Sequence, residues 1–145
     1  MAERVLLDTG LLGEATHPRP SREFTAWLSG LLSSSVEVVI PEIADYELRR
    51  ELMRSYLKNG EKEGLDRLER LKAQVTYLPI NTNAMQLAAK LWAEARNRGR
   101  ATAHPEALDG DVILAAQARL AGGTVATENV GHLSQFVDAR SWREI

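Results

Sequence analysis

Short apolar runs alternate with amphipathic stretches along the chain. Val5, Leu6 and Leu7 form the first run, stopped by Asp8 with Gly10 just beyond, which predicts a buried strand ending in a turn. Ser21 is placed to cap a helix carrying Phe24, Trp27, Leu28, Leu31 and Leu32 at helical spacing, until Ser33, Ser34 and Ser35 break the pattern. Residues 36–40 are mostly β-branched and abut Pro41, which predicts a second strand. Pro41 suits the first position of a helix running to about Lys58, with Asn59-Gly60 as its stop. A further helix runs through Leu65, Leu68 and Leu71, and residues 75–80 read as a third strand. Asn81 or Thr82 caps the most regular helix, with Ala84, Leu87, Ala88, Leu91, Trp92 and Ala95 on one face. A polar loop over residues 100–108 leads to a helix over about 109–120, closed by Gly122-Gly123. Residues 124–127 form a fourth strand and residues 141–145 a last edge strand. Trp27, Trp92 and Trp142 are expected in the core.

Strands alternating with helices predict an α/β fold, a mostly parallel sheet with helices on both faces. The 145 residues suit a single domain. Hydrophobic residues at 44% and charged residues at 26% argue against disorder. Cysteine is absent, which removes disulfides and thiolate metal sites. A net charge of -2 points to no nucleic-acid partner by itself, although a local basic stripe is enough to hold phosphates. No apolar stretch nears the ~20 residues of a bilayer span. Met1-Ala2-Glu3-Arg4 does not look like a secretory leader. The expectation is a cytoplasmic protein with no membrane contact.

Chemistry enters with four acid or amide positions, each beside an apolar run: Asp8, Glu47, Asp111 and Asn129. In open parallel sheets, sites form beyond the carboxyl ends of the strands. Asp8 and Asn129 follow strands, and Asp111 starts a helix that returns to the strand at 124–127, so these three meet at one edge. Glu47 lies about six residues past Pro41, or ~9 Å along a helix. Its helix must cross the rim for it to arrive; simple edge logic favours Glu42. Two carboxylates ~4 Å apart repel by about 4 kcal/mol at a moderate effective dielectric. Such a rim suits a hard divalent cation and a phosphate ligand.

In order, Leu6-Leu7-Asp8-Thr9, Ile43 to Leu48 with Glu47, Asp111-Val112-Ile113-Leu114-Ala115-Ala116, and Thr127-Glu128-Asn129 resemble the motifs of PIN-domain ribonucleases, of the kind found as VapC toxins in toxin–antitoxin modules. The resemblance covers essentially the whole chain. It implies a three-layer α/β/α sandwich with about five strands, Mg²⁺ or Mn²⁺, cleavage of RNA, a small antitoxin partner and a homodimer. Carried over residue by residue, it makes Asp8, Glu47, Asp111 and Asn129 catalytic. Asp8, Asp111 and Glu47 hold the metal, and Thr9, Thr127 and Asp109 stand behind the carboxylates. Gly10 stands where the family usually has Asn, Asn129 where Asp is common, and Glu128 where Arg or Lys is common. The competing reading is a catalytically degenerate PIN fold that binds or assembles without cleaving. A phosphatase ranks last, since Asp8-Thr9-Gly10 lacks the second Asp of an Asp-x-Asp element.

For Asp109 a helix N-terminal role outweighs a supporting one. His132 reads as structural or exposed, and three histidines without ligand spacing argue against zinc. Arg96, Arg98 and Arg100, with His104, form the local basic run. It serves either to hold RNA phosphates or to complement a helix dipole.

Overall fold

Val5, Leu6 and Leu7 are all fully buried, because both faces of their strand are covered. The computed structural model describes residues 3–99 and 105–145, and of residues 105–107 the backbone alone. The elements run β1 (Arg4–Leu7), α1 (Thr9–Ala15), α2 (Arg22–Leu32), β2 (Glu37–Pro41), α3 (Glu42–Asn59), α4 (Glu63–Lys72), β3 (Thr76–Leu78) and α5 (Thr82–Asn97). After them come α6 (Pro105–Ala121), β4 (Thr124–Thr127), α7 (Val130–Leu133), β5 (Ala139–Ser141) and a 3₁₀ turn (Trp142–Glu144). The five strands pair in parallel in the order β3-β2-β1-β4-β5. This is the expected α/β fold, a parallel five-stranded sheet with helices on both faces.

Strand periodicity sorts the two faces. Val5, Leu7, Val38 and Ala126 pack against Leu11, Phe24, Leu28 and Trp142 on one side. Leu6, Val39 and Val125 meet Ile43, Leu114 and Ala118 on the other. Phe24, Trp27 and Trp142 form a triangle with every ring-centroid distance 5.4 Å, which ties the end of the chain to α2. Gln117, 2% exposed, locks a third junction: its Oε1 accepts from Ile43 N at 3.2 Å and its Nε2 donates to Leu78 O at 2.8 Å. That bond pair joins α6 to the start of α3 and to β3, so α3 has a fixed entry angle.

Several expectations change. The chain after Asp8 forms helix α1 rather than a turn, with the Asp8 side chain as its N-cap, accepting from Leu11 N at 2.8 Å. Pro41 closes β2 and precedes α3 rather than opening it. The helix expected from about 109 starts at Pro105, and residues 100–104 of the predicted loop lie outside the described residues. The last strand is Ala139–Ser141, and Trp142–Glu144 turns into a 3₁₀ helix, with Ser141 Oγ accepting from Arg143 N. Helix α7 was not expected. Trp92 is 39% exposed and is not a core residue, because α5 buries its Ala84, Ala88, Leu91 and Ala95 stripe and leaves the indole on the flank. Asn59-Gly60 does stop α3, with Gly60 at φ 72 in the left-handed region that glycine tolerates. Among the described residues no helix is long and apolar enough to cross a membrane.

Candidate active site

The strand order reverses at β1, which leads to β2 on one side and pairs with β4 on the other. Ligand crevices in such sheets lie beyond the carboxyl ends of strands at this reversal. Leu7 pairs with Ala126, so the next residues, Asp8 just past β1 and Thr127 at the end of β4, stand level with each other at the sheet's edge. Asp8 is 8% exposed and Thr127 0%. Thr127 Oγ1 donates to Asp8 Oδ2 at 2.5 Å and accepts from Asn129 N at 2.8 Å. One hydroxyl therefore holds the Asp8 rotamer and anchors the turn that carries Asn129. With Leu11 N on Oδ1, both Asp8 oxygens are fixed.

Glu47 arrives because α3 crosses the rim, wedged between α1 and α6. On one side Thr9 Oγ1 donates to Glu47 Oε1 at 2.6 Å. On the other, the Glu47 carboxylate lies against Gly110 of α6, where a Cβ would sit 3.1 Å from its Cδ and closer still to Oε2. Glu42, the choice of simple edge logic, turns elsewhere and accepts from Ile80 N at 2.7 Å. Asp111 follows Gly110 on the same turn of α6.

Electrostatics link the three carboxylates. Burial pushes the Asp8 carboxyl above its ordinary 3.8, hydrogen bonds from Thr127 and Leu11 pull the other way, and the charges of Glu128 and Glu47 add to the rise. Burial also raises Asp111, a nearby His132 opposes the rise, and Glu47 and Asp8 reinforce it. Each aspartate thus feels Glu47, and Asp111 also feels Asp8. Glu128 is held below the usual range by the Trp142 indole N–H, which donates to Oε1 at 2.5 Å, and by Arg143.

The remaining expected residues are more scattered. The Asn129 side chain is exposed and makes no capping bond at the start of α7. Asp109 is exposed and lines a cleft between α5 and α6 with Met85, Trp92 and Val112. Arg96 and Arg98 are exposed at the end of α5, with the Arg96 guanidinium 5.5 Å from the Trp92 ring centroid. Arg100 and His104 lie outside the described residues. Two further neighbours were not foreseen. Gly110 seats Glu47, and a glycine between two aspartates inside a helix, at a cost of about 1 kcal/mol against alanine, was the available signal. His132 is exposed, as expected, yet sits near enough to Asp111 to act on its charge.

Among the described residues no three His, Asp or Glu side chains gather tightly enough to bind a cation with protein atoms alone. The donors nevertheless fit Mg²⁺ or Mn²⁺. They are hard carboxylate oxygens, and two of the groups, Asp8 and Asp111, are burdened by burial and by the charge of Glu47. Mg²⁺ keeps several waters and takes only one or two carboxylates from most sites.

A family model described as PIN domain matches residues 5–134. A comparison with curated proteins found no match. Among solved structures the chain is similar to VapBC2 from Rickettsia felis bound to a DNA fragment from their promoter. That pair is 16% identical with a TM-score of 0.79, covering 96% of this chain and 98% of that one. VapBC from Salmonella typhimurium bound to DNA is 18% identical, with a TM-score of 0.76 and coverage of 96% and 98%. FitAB bound to an IR36 DNA fragment is 27% identical, with a TM-score of 0.73 and coverage of 95% and 94%.

Proposed function

Because the chain belongs to the PIN domain family, we propose that it is a metal-dependent endoribonuclease, the toxin of a toxin–antitoxin pair. The observation that carries this reading is the meeting of Asp8, Glu47 and Asp111, from three separate elements, at the sheet's carboxyl edge. The similar VapBC and FitAB structures support a small antitoxin as partner. Pairing of two copies and a cytoplasmic location belong to the same reading.

Asp8 and Asp111 would hold Mg²⁺ or Mn²⁺, with Glu47 reaching it through water. The bound ion supplies charge neutralisation at the scissile phosphate and a water of lowered pKa. Glu47, gripped by Thr9 on one oxygen, takes the proton of the attacking water. Asn129 orients a water through its exposed amide. Thr127 and Thr9 keep the carboxylates in their rotamers. Asp109 faces the α5–α6 cleft, so this reading gives it no contact with substrate. Arg96, Arg98 and Arg100 hold flanking phosphates; Arg96 stacks on Trp92, which shares the cleft wall with Asp109, two residues from Asp111.

Thr127→Val removes the hydroxyl and keeps the shape. Cleavage is expected to fall about 10–100-fold, the usual effect of losing a carboxylate's supporting partner. Stability should fall by about 1–3 kcal/mol, because Asn129 N and Asp8 Oδ2 lose their partner. Steady-state cleavage and denaturant unfolding of the variant measure the two effects.

The direct test is cleavage of a mixed RNA pool with Mg²⁺, with Mn²⁺ and with excess EDTA. Cleavage that needs either ion, and toxicity on expression relieved by a small neighbouring gene product, is the expected result. The absence of a three-ligand cluster among the described residues favours one alternative, a PIN fold that binds without cleaving. RNA that remains intact under all three conditions would select it.

A further inference from the structure

Beside the carboxylate rim lies a second cleft, of about 280 Å³, that the reaction above does not use. Its walls include Gly10 and Glu14 of α1, Ser21 before α2, Glu128 after β4, and Trp142 and Arg143 after β5. It adjoins the site directly. A Cβ on Gly10 would lie 3.6 Å from Asp8 Oδ1, and the Glu128 charge acts on Asp8. Glycine at position 10 puts no side chain of its own beside Asp8 Oδ1. RNA with its scissile phosphate at Asp8 therefore brings an adjoining nucleoside to this cleft.

The chemistry of the walls selects which part enters. Glu14 and Glu128 repel phosphate, so the base enters and the backbone stays outside. The volume falls below the ~300–1,000 Å³ of pockets for drug-sized ligands, which suits one planar ring system better than a peptide segment. Arg143 lies with its guanidinium 4.3 Å from the Trp142 ring centroid, and is held there by Glu128 at 3.1 Å and Glu23 at 3.4 Å. A guanidinium plane fixed in this way offers both stacking and donors to an unpaired base. Glu14 Oε1 accepts from Ser21 N at 2.8 Å, and among the described residues its other oxygen accepts no hydrogen bond.

Carboxylates accept only and Arg donates only. Guanine alone among the four bases presents two adjacent donors, N1–H and N2–H₂, next to an acceptor, O6. Adenine and cytosine offer one donor group beside an acceptor, and uracil one donor between two acceptors. We propose that the cleft of Gly10, Glu14, Glu128 and Arg143 is a guanine subsite that selects the nucleotide next to the cleaved bond. Glu14 and Glu128 take the two donors, and Arg143 meets O6. The proposal rests on the ribonuclease reading and names its sequence preference.

The test uses four RNA hexamers, uridine throughout except for a central G, A, C or U, and a full-length Asp8→Asn background that binds without cutting. Fluorescence anisotropy should show the G hexamer bound about tenfold more tightly than the others, as a good bidentate base contact provides. Adding Glu14→Gln or Arg143→Gln should bring the four affinities within about twofold of each other. In the otherwise wild-type enzyme, the same two substitutions should lower cleavage beside guanine about tenfold, to the level seen beside the other three bases, and so erase the preference. Equal affinities in the Asp8→Asn background, or no binding of any hexamer, overturn the subsite. So does a guanine preference that survives both substitutions. Competition by an arginine-containing peptide with no discrimination among hexamers also overturns it, and gives the cleft to a protein partner. Guanine-selective binding by a protein that never cleaves RNA would refute the nuclease reading and keep the subsite. Cleavage without preference would refute the subsite alone.

Discussion

Asp8→Asn is expected to reduce RNA cleavage by about 10²–10³-fold or more, the scale seen when one preorganised charge-stabilising group is removed from an active site. The fold should survive, because the amide oxygen still accepts from Leu11 N and caps α1. Thr127 Oγ1 can accept from the new amide nitrogen, since a hydroxyl has two lone pairs. Without metal, the variant should be more stable than wild type at pH 7. The reason lies in proton linkage. Burial, with the Glu128 and Glu47 charges adding to it, raises the folded Asp8 carboxyl above the 3.8 expected when unfolded, against the pull of its hydrogen bonds. Between those two values the folded protein binds more protons than the unfolded one, so stability falls as pH rises through that window. Above it, the ionised carboxylate remains a cost. Asp45, Glu37 and Glu128 have lowered values and act in the opposite sense. The difference between the wild-type and Asp8→Asn stability curves therefore isolates the site. Thermal melts from pH 4 to pH 8 in EDTA should show the variant's advantage growing with pH. Saturating Mg²⁺ should remove it by stabilising wild type alone.

Gly110→Ala is expected to separate activity from stability. Alanine favours a helix over glycine by about 0.5–1 kcal/mol. On an ordinary helical position the substitution would stabilise. Here the new methyl would stand 3.1 Å from Glu47 Cδ and tighter against Oε2. Glu47 is long and only partly buried, so its head shifts at little cost to the fold. The shift pulls it from Thr9 and from the attacking water. Cleavage should drop about 10–100-fold, as for other misplaced supporting groups, while the melting temperature holds or rises. A matching loss of both would mean that Gly110 serves packing alone. Retained cleavage would mean that Glu47 needs no fixed position.

Much of this architecture is legible from local pattern. Val5, Leu6 and Leu7, and Val125 and Ala126, put apolar side chains on both faces, as strands buried between two helical layers must. Asp8 stands out because a charge directly abuts such a run. What escaped depends on tertiary contact or on weak local preference. Helix α1 contains Gly10 and Gly13, which lower helix propensity, and its stability comes from the Asp8 cap and from burial of Leu11 and Leu12. Helix α7 is a single turn and leaves little periodicity to detect. Trp92 shares its spacing with the buried α5 face, and only the position of α6 decides that it stays on the flank. Glu47 was placed by resemblance, not by periodicity, because the angle at which α3 crosses the rim is set by remote groups. These are Thr9 and Gly110 at its sides and Gln117 at its start. The role of Gly110 has the same origin: a glycine's neighbour across an interface leaves no trace in local spacing.

The most direct measurement is equilibrium binding of Mn²⁺ without RNA, followed by the electron paramagnetic resonance signal of the free ion. Wild type should take up Mn²⁺ competitively with Mg²⁺, and both Asp8→Asn and Asp111→Asn should lose that uptake while remaining folded. Undiminished Mn²⁺ affinity in either folded variant, or no uptake by wild type, would contradict the assignment of these carboxylates to one cation pocket.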